Sequence, residues 1–170
     1  MHGYDLYRRY QAVLGHVWRM SQSQMYSILK RLEARGLVEK LVEEDPRDPS
    51  RRILVVTAPG LRHFTGWMLH PTDCGSRLMR LEFVSRLLFA SMQGGGLVAY
   101  IVGEQAAAID RQLANHEEIL RGIPRDDVFN ALSMDLRVRQ LRASAEWLRD
   151  SVLPLVDAVP SGDPDGSGPP

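Results

Sequence analysis

The sequence predicts a mostly α-helical chain with one small β-hairpin, divided into a mixed first domain and an all-helical second domain. Apolar residues recur every three or four positions through most of the 170 residues, which is the spacing of helices that bury one face. Between residues 37 and 56 this spacing gives way to two short β-type runs around a polar segment that contains two prolines. The predicted strands therefore both lie in the first domain.

Two helices open the first domain, which we place at residues 1–70. The first has an apolar stripe that begins at Tyr4 and stops at Gly15. Ser21 and Gln24 then form an S-x-x-Q capping box, in which each side chain satisfies a free backbone amide at the start of a helix. This second helix has Gly36 at the position of a C-cap. Its buried face is predicted to contain Met25, Ile28, Leu29 and Leu32.

A β-hairpin and a third helix complete this domain. The two strands are predicted at Leu37 to Val42 and at Arg52 to Val56, with a polar loop between them. Thr57 can cap the next helix, which tolerates Pro59 in its first turn. The apolar side of that helix holds Leu61, Phe64, Trp67 and Met68. The order helix, helix, hairpin, helix is that of a winged helix-turn-helix domain.

The second domain, residues 76–157, is predicted to be an α-helical dimerisation domain, and residues 158–170 a disordered tail rich in Gly, Pro and Ser. Three glycines at 94–96 and a polar break at 121–127 divide it. The predicted helices run from Ser76 to Met92, from Leu97 to Leu120 and from Val128 to Val156.

Composition limits the classes of protein that the chain can represent. The first 70 residues carry eleven Lys and Arg against seven acids, and the remainder carries ten Arg against fourteen acids, so the zero net charge hides a basic front half. Cys74 is the single cysteine, which excludes an internal disulfide framework. No apolar run is long enough to span a bilayer, and Met1 leads into a polar segment rather than a signal peptide. We therefore expect a cytoplasmic protein with no membrane association.

Three motifs of the first domain occur in the order found in one family of regulators. They are His2-Gly3-Tyr4-Asp5-Leu6, the run from Ser23 to Val38, and the segment from Arg52 to Thr57 followed by Gly60. On these residues the chain resembles the PadR family, and its back half is similar to the virulence-activator-like branch, whose long C-terminal helices dimerise. The resemblance implies a winged-helix transcription regulator that binds operator DNA as a homodimer. In some members of the family a hydrophobic effector releases the DNA.

The chain departs from the family pattern at two places. The second wing strand, which usually contains an aromatic residue, is Ile53-Leu54-Val55-Val56 here. Family members also have a helix before the first motif, whereas Met1 stands directly at that motif. We expect either a true start upstream of Met1 or a truncated form of the regulator.

The outer face of the second helix is the predicted DNA-reading surface. With its apolar side chains turned inward, this helix presents short polar groups in its first turn and cations further along. Glutamine pairs with adenine and serine with several base edges, and the resemblance implies that Tyr26 contacts DNA. The alternative is an ordinary solvated helix face. The candidate residues are Gln22, Ser23, Gln24, Tyr26, Ser27, Lys30 and Arg31.

Three arginines of the hairpin, Arg47, Arg51 and Arg52, are further candidates for DNA contact. They are placed to reach the DNA backbone or the neighbouring minor groove, as the wing of such a domain does. Four acids in the same loop support a second interpretation, in which the arginines form exposed ion pairs of little energetic value. These acids are Glu43, Glu44, Asp45 and Asp48.

A single winged helix offers little surface for a specific site, so we predict a two-fold dimer on a palindromic operator, acting as a repressor. The long C-terminal helices supply apolar area for the dimer, and packing inside one chain is the alternative for the same residues. The interface candidates are Leu81, Leu88, Leu141, Trp147 and Leu148. The resemblance also suggests a small hydrophobic effector as a partner. The tryptophans that would bind it have packing in the core as their alternative role.

No arrangement of residues typical of an enzyme is present in the sequence. The five histidines lack metal-ligand spacing with Cys or carboxylates, and Gly94-Gly95-Gly96 lacks the lysine of a phosphate-binding loop. We therefore expect no catalytic residues, no metal and no cofactor. The competing interpretation is a protein-interaction module, that is, a winged helix that has lost DNA binding and recruits a partner through its dimer helices.

Overall fold

The computed structural model describes residues 1–42 and 52–158, which fall into two compact units. The first unit runs from Met1 to Trp67, and the second begins at Met68. Among the described residues, every helix is too short or too polar to span a membrane. These described residues are mostly helical with one two-stranded antiparallel sheet, as predicted. The proposed domain limits 1–70 and 76–157 stay predictions, and the proposed tail, residues 158–170, lies outside the described residues except for Ala158.

The first unit has the predicted order of helix, helix, hairpin and helix. Its elements are α1 (Gly3–Leu14), α2 (Gln22–Ala34), β1 (Val38–Val42), β2 (Arg52–Val56) and α3 (Ala58–Leu69). The strands pair in antiparallel register with Val38 opposite Val56 and Leu41 opposite Ile53. On the other edge of β2, the backbone N–H of Leu54 donates to the carbonyl of Met1 at 2.9 Å. The start of the chain therefore lies beside the hairpin.

Helix α2 ends where the glycine signal predicted. Gly36 has a φ of +67°, the left-handed conformation that glycine adopts without steric cost. Its N–H donates to the carbonyl of Glu33 at 2.9 Å, and the N–H of Leu37 donates to the carbonyl of Leu32 at 3.0 Å. This pair of bonds is a Schellman motif, which satisfies two of the carbonyls left free at the helix end.

Thr57 joins the hairpin to α3 and caps that helix, as predicted. Its hydroxyl donates to the carbonyl of Gly36 at 2.7 Å and accepts the backbone N–H of Gly60 at 3.1 Å. Its own backbone N–H donates to the carbonyl of Leu37 at 3.1 Å. A single residue therefore ties the end of α2 and the start of α3 to the sheet. In this small area Gly60 is buried.

The second unit is a set of three long helical segments. The first consists of α4 (Ser76–Leu78), a π-helical turn (Met79–Phe83) and α5 (Val84–Ser91). The second is α6 (Gly95–Gly122). The third consists of α7 (Val128–Trp147), a π-helical turn (Leu148–Val152) and α8 (Leu153–Ala158).

Two details of these helices differ from the sequence prediction. We expected Gly95 and Gly96 to separate two helices, but both lie in the first turn of α6, and only Gly94, at a φ of +115°, breaks the chain. The π-helical turn before α8 was not expected either. Pro154 follows it, and a proline has no N–H to donate and crowds the carbonyl four residues earlier, which favours a wider turn at that point.

The core of the second unit contains most of the buried apolar side chains. Helix α6 contributes a stripe at helical spacing, and Phe83 and Ile109 are both completely buried. The side chain of Gln105 lies in the same stripe, where its amide oxygen accepts the N–H of Thr72 at 2.7 Å and its amide nitrogen donates to the carbonyl of Thr72 at 2.9 Å. Arg86 donates to the carbonyl of His70. The segment after α3 is therefore hydrogen-bonded into the second unit.

Candidate nucleic-acid interface

The start of α2 has the capping box that the sequence predicted. The hydroxyl of Ser21 accepts the N–H of Gln24 at 3.2 Å, and the side-chain oxygen of Gln24 accepts the N–H of Ser21 at 2.8 Å. Two of the free amides at the helix start are thus satisfied by side chains. Gln24 consequently has only its side-chain NH₂ group left to donate to another partner.

The two faces of α2 differ in polarity. Met25 and Leu29 are buried, and Ile28 and Leu32 are half-buried, so these four residues form the inner face. All seven of the DNA-contact candidates on this helix have exposed side chains: Gln22, Ser23, Gln24, Tyr26, Ser27, Lys30 and Arg31. Exposure is required for DNA binding, but it does not distinguish a DNA-binding face from an ordinary solvated helix face.

Tyr26 lies against the start of α1. A Cβ atom at Gly3 would stand only 2.9 Å from Cε1 of Tyr26 and 3.3 Å from its hydroxyl oxygen. The glycine of the His-Gly-Tyr motif therefore makes room for the ring of Tyr26, which remains 45% exposed. Sequence reasoning treated the two motifs separately, because only the fold brings residue 3 beside residue 26.

Fewer of the predicted DNA contacts can be described in the wing, the hairpin of β1 and β2, than in α2. Arg52 begins β2, and Arg47 and Arg51 lie outside the described residues. Lys40 of β1 forms an ion pair with Glu33 of α2, so this cation is already engaged within the first unit. The role of the three wing arginines stays a prediction.

The interface candidates of the second unit are divided between buried and accessible positions. Leu141 and Leu148 are 4% and 2% exposed, which places them in the core of a single chain, the alternative left open for them. Trp147 is 37% exposed and meets Phe83 edge-on at a centroid distance of 6.0 Å. Leu81 and Leu88 are half-buried.

A different part of α7 presents the larger exposed apolar surface. Phe129 is 87% exposed, and the residues at helical spacing around it are also exposed. We call this surface the α7 stripe; it consists of Val128, Phe129, Leu132 and Leu136. None of these four residues is among the interface candidates that the sequence suggested. The spacing of three to four residues was the signal that would have found them.

An apolar groove lies beside Trp147. It is described by two adjoining cavities of 420 Å³ and 380 Å³, both of which are lined by Val84 and Trp147. Apart from Trp147 and two serines, the second cavity is lined by aliphatic side chains of α5, α6, α8 and the π-helical turn before α8. A second apolar groove, of 560 Å³, lies in the first unit and is lined by Leu61, Phe64 and Trp67 of α3.

Titratable groups in the described part of the chain form no cluster of three or more His, Cys, Asp or Glu residues that could hold a metal ion. Burial raises the pKa of the Tyr10 hydroxyl, and the neighbouring Tyr7 raises it further. Burial lowers the pKa of the Arg86 guanidinium, which Glu82 opposes from 3.3 Å.

Comparison with known protein families gives a match that covers most of the first unit. Residues 1–65 match the model of the transcriptional regulator PadR-like family. No curated protein matches the chain. Among solved structures, the chain is similar to Bacillus subtilis PadR in complex with operator DNA, at 17% identity over 91% of this chain and 90% of that chain, with a TM-score of 0.41.

Two further solved structures are similar at comparable levels. One is the PadR-like transcriptional regulator BC1756 from Bacillus cereus, at 21% identity over 91% of this chain and 87% of that chain, with a TM-score of 0.40. The other is the Vibrio cholerae virulence activator AphA, at 22% identity over 92% of this chain and 90% of that chain, with a TM-score of 0.38. The family match therefore applies to residues 1–65, which are similar to the PadR-like family of transcriptional regulators.

Proposed function

We propose that this protein is a sequence-specific DNA-binding repressor that reads a palindromic operator through α2 and binds it as a homodimer. The observation that carries the proposal is the match of residues 1–65 to a family of transcriptional regulators, in a unit whose α2 exposes an unbroken polar face. An α-helix of this kind fits the major groove of B-form DNA.

Base contacts are assigned to the first turn of α2. Gln22 and Ser23 are exposed at the capped end of the helix, and neither takes part in the capping box. The amide of a glutamine pairs bidentately with adenine, and a serine hydroxyl pairs with several base edges. Gln24 contributes less to specificity in this proposal, because its side-chain oxygen already accepts the N–H of Ser21.

Phosphate contacts are assigned to residues further along the helix and to the wing. Lys30 and Arg31 are exposed near the end of α2, and Tyr26 presents its exposed part on the same helix. Contacts of this kind position a protein on DNA and make its affinity depend on salt, whereas base contacts determine sequence preference. Arg47, Arg51 and Arg52 of the wing are expected to act in the same way.

The homodimer is assigned to the α7 stripe together with Leu81, Leu88 and Trp147. Four exposed apolar side chains on one part of a helix would be covered by the same surface of a second copy in a two-fold interface. A two-fold dimer predicts half-sites about 34–36 Å apart, or a multiple of this, along the DNA. A dimer that covers both half-sites would occlude promoter sequence, which is our reason for proposing repression.

Effector binding is assigned to the groove beside Trp147, which is mostly apolar and suits a small hydrophobic molecule. Titration with hydrophobic amphiphiles should quench the tryptophan fluorescence of the wild type. In Trp147→Phe the part of the quenching that is due to Trp147 should be absent. Equal quenching of both proteins would show that the ligand binds elsewhere.

Fluorescence anisotropy with labelled DNA from the region upstream of the gene tests the central proposal. The wild type should bind at nanomolar concentration in the presence of competitor DNA. Gln22→Ala should weaken operator binding by about tenfold, the effect of one lost bidentate contact, and leave binding to unrelated DNA unchanged. Arg125→Gln, an exposed arginine of the second unit, is the matched control. A wild type that does not bind in a salt-dependent manner would favour the protein-interaction module instead.

Light scattering tests the dimer independently of DNA. The wild type should be a dimer at micromolar concentration, and Leu132→Asp should convert it into a monomer, because a buried charge without a partner is costly at an interface. Ala114→Asp, which adds the same charge at an exposed position of α6, is the control. A wild type that is monomeric would contradict the proposal.

A further inference from the structure

The turn between α1 and α2 holds one exposed cation, Arg19, in a backbone that is hydrogen-bonded on both sides. The carbonyl of Trp18 accepts the hydroxyl of Tyr10, and the carbonyl of Met20 accepts the hydroxyl of Tyr7 at 3.5 Å. Both tyrosines belong to α1. The peptide unit before Arg19 and the one that follows Met20 are therefore hydrogen-bonded to the preceding helix.

These two tyrosines are themselves held in position. The rings stack with a centroid distance of 6.5 Å and an interplanar angle of 22°. The side-chain amide of Gln11 donates to the hydroxyl of Tyr7 at 2.7 Å. The backbone N–H of Trp18 also donates to the carbonyl of Leu14 at 2.8 Å. A turn fixed in this way reduces the conformational entropy that Arg19 would lose on binding.

The position of Arg19 relative to α2 is the second argument. It precedes the N-cap residue Ser21 by two positions, whereas Arg31 lies in the last turn of the same helix. The helix rises about 1.5 Å per residue, so the twelve positions from Arg19 to Arg31 correspond to at least roughly 18 Å, which is more than the roughly 12 Å width of the major groove. A recognition helix with a cation at each end can contact phosphates of both strands.

The charge of Arg19 is also available. Within the described ranges 1–42 and 52–158, Arg19 forms no ion pair, whereas Lys40 of the same unit is paired with Glu33. An exposed guanidinium that has no carboxylate partner can form a bidentate contact with a phosphate group without first breaking an ion pair.

We propose that Arg19 is a further phosphate contact of this regulator and that Tyr7 and Tyr10 are positioning residues that hold it at the start of α2. This inference rests on the DNA binding proposed above. It adds a contact that lies outside both α2 and the wing.

The test is the salt dependence of operator binding, because its slope counts the phosphates that the protein neutralises. Replacing Arg19 by glutamine should make the slope of log K against log salt shallower by about 0.9 and weaken binding several-fold at low salt. Arg62→Gln, which removes the same charge from an exposed position of α3, should leave the slope unchanged.

A double-mutant cycle tests the role of Tyr10. The variant Tyr10→Phe keeps the ring and loses the bond to the carbonyl of Trp18, so it should weaken operator binding in the wild type and have no effect in the Arg19→Gln background. Additive effects of the two substitutions would show that Tyr10 acts on the fold generally and would overturn its role as a positioning residue.

The possible failures can be told apart. If the wild type shows no salt-dependent binding to DNA, the proposed function and this inference are both wrong. If the wild type binds and Arg19→Gln has the wild-type slope, or if Arg62→Gln changes the slope equally, only the assignment of Arg19 is overturned.

Discussion

The two units of this protein are held together in different ways. Among the described residues, the first unit has two buried apolar side chains, Met25 and Leu29, whereas the second unit has thirteen, several of them on α6. The first unit instead depends on caps, a Schellman turn and the hydrogen bonds of Thr57. A domain that must leave one helix face polar for a ligand has less surface to bury, so local backbone interactions take a larger share of its stability.

This difference predicts that the most damaging substitution of the first unit is at a glycine rather than at a large apolar residue. A Cβ atom at Gly60 would lie 2.0 Å from the carbonyl oxygen of Leu37, a backbone atom that also accepts the N–H of Thr57. We expect Gly60→Ala to destabilise the first unit by more than about 4 kcal/mol, because backbone must move to relieve the contact. Hydrogen exchange measured by mass spectrometry should show loss of protection in β2 and α3 and retained protection in α6.

Gly66→Ala is the matched control on the same helix. A Cβ atom at Gly66 would meet nothing within 4 Å, so alanine there should stabilise α3 by about 0.5–1 kcal/mol through its better helix propensity. Wild-type protection in both variants would contradict the claim that the contact between Gly60 and Leu37 fixes this unit.

The second unit should instead be most sensitive to loss of apolar volume. Ile109 is completely buried on α6, and its replacement by alanine should lower the free energy of unfolding by about 3 kcal/mol. Ile119→Ala, ten residues later on the same helix where the side chain is 43% exposed, should cost less than about 1 kcal/mol. Urea denaturation, monitored by the hydrogen exchange of the α6 amides, measures both changes in the free energy of unfolding. Equal costs at the two positions would mean that α6 is not buried as described.

The same contrast explains which features could be predicted from the sequence. Gly36, the Ser21–Gln24 capping box and the Thr57 cap were predicted correctly because each is determined within three or four residues. The sequence could not decide whether Leu141 and Leu148 are buried inside one chain or in a dimer interface. Helical periodicity indicates an apolar face but not which surface covers it. The need for glycine at position 60 depends on a carbonyl 23 residues earlier, which no local pattern indicates.

Among the candidate site residues, the sequence predicted exposure well and mutual contacts poorly. Helical spacing was sufficient to place Gln22, Ser23 and Lys30 on the outer face of α2. The contact of Tyr26 with Gly3, and the hydrogen bonds of Tyr7 and Tyr10 around Arg19, follow from the packing of α1 against the turn and α2. Contacts between separate elements require the three-dimensional arrangement of both.

A smaller effect is expected from Gly3→Ala, which tests whether the contact of α1 with Tyr26 matters for DNA binding rather than for folding. The atoms that crowd the new Cβ belong to the free end of a side chain, so the ring can move and stability should change by less than about 1 kcal/mol. The displaced ring should nevertheless weaken operator binding several-fold in an anisotropy titration. In a Tyr26→Ala background the same substitution should have no further effect, and a persistent loss of affinity there would exclude Tyr26 as the cause.

The smallest expected effect concerns a titratable thiol that is buried in the second unit. Cys74 is 4% exposed, and burial raises the pKa of its thiol above the ordinary value of 9.0, with the nearby Asp73 acting in the same direction. Above that ordinary value the unfolded chain releases a proton that the folded chain still retains, so stability is complete below it and declines as the pH rises. Serine does not titrate in this range and is close in size.

The free energy of unfolding should therefore fall more steeply between about pH 8 and pH 10 in the wild type than in Cys74→Ser. Tyrosines and lysines titrate alike in both proteins, so the difference between the two slopes isolates the thiol. Parallel slopes would mean that the thiol is as accessible in the folded chain as in the unfolded one. That result would also mean that water reaches the sulfur of Cys74 although the side-chain nitrogen of Gln105 lies 3.6 Å from it.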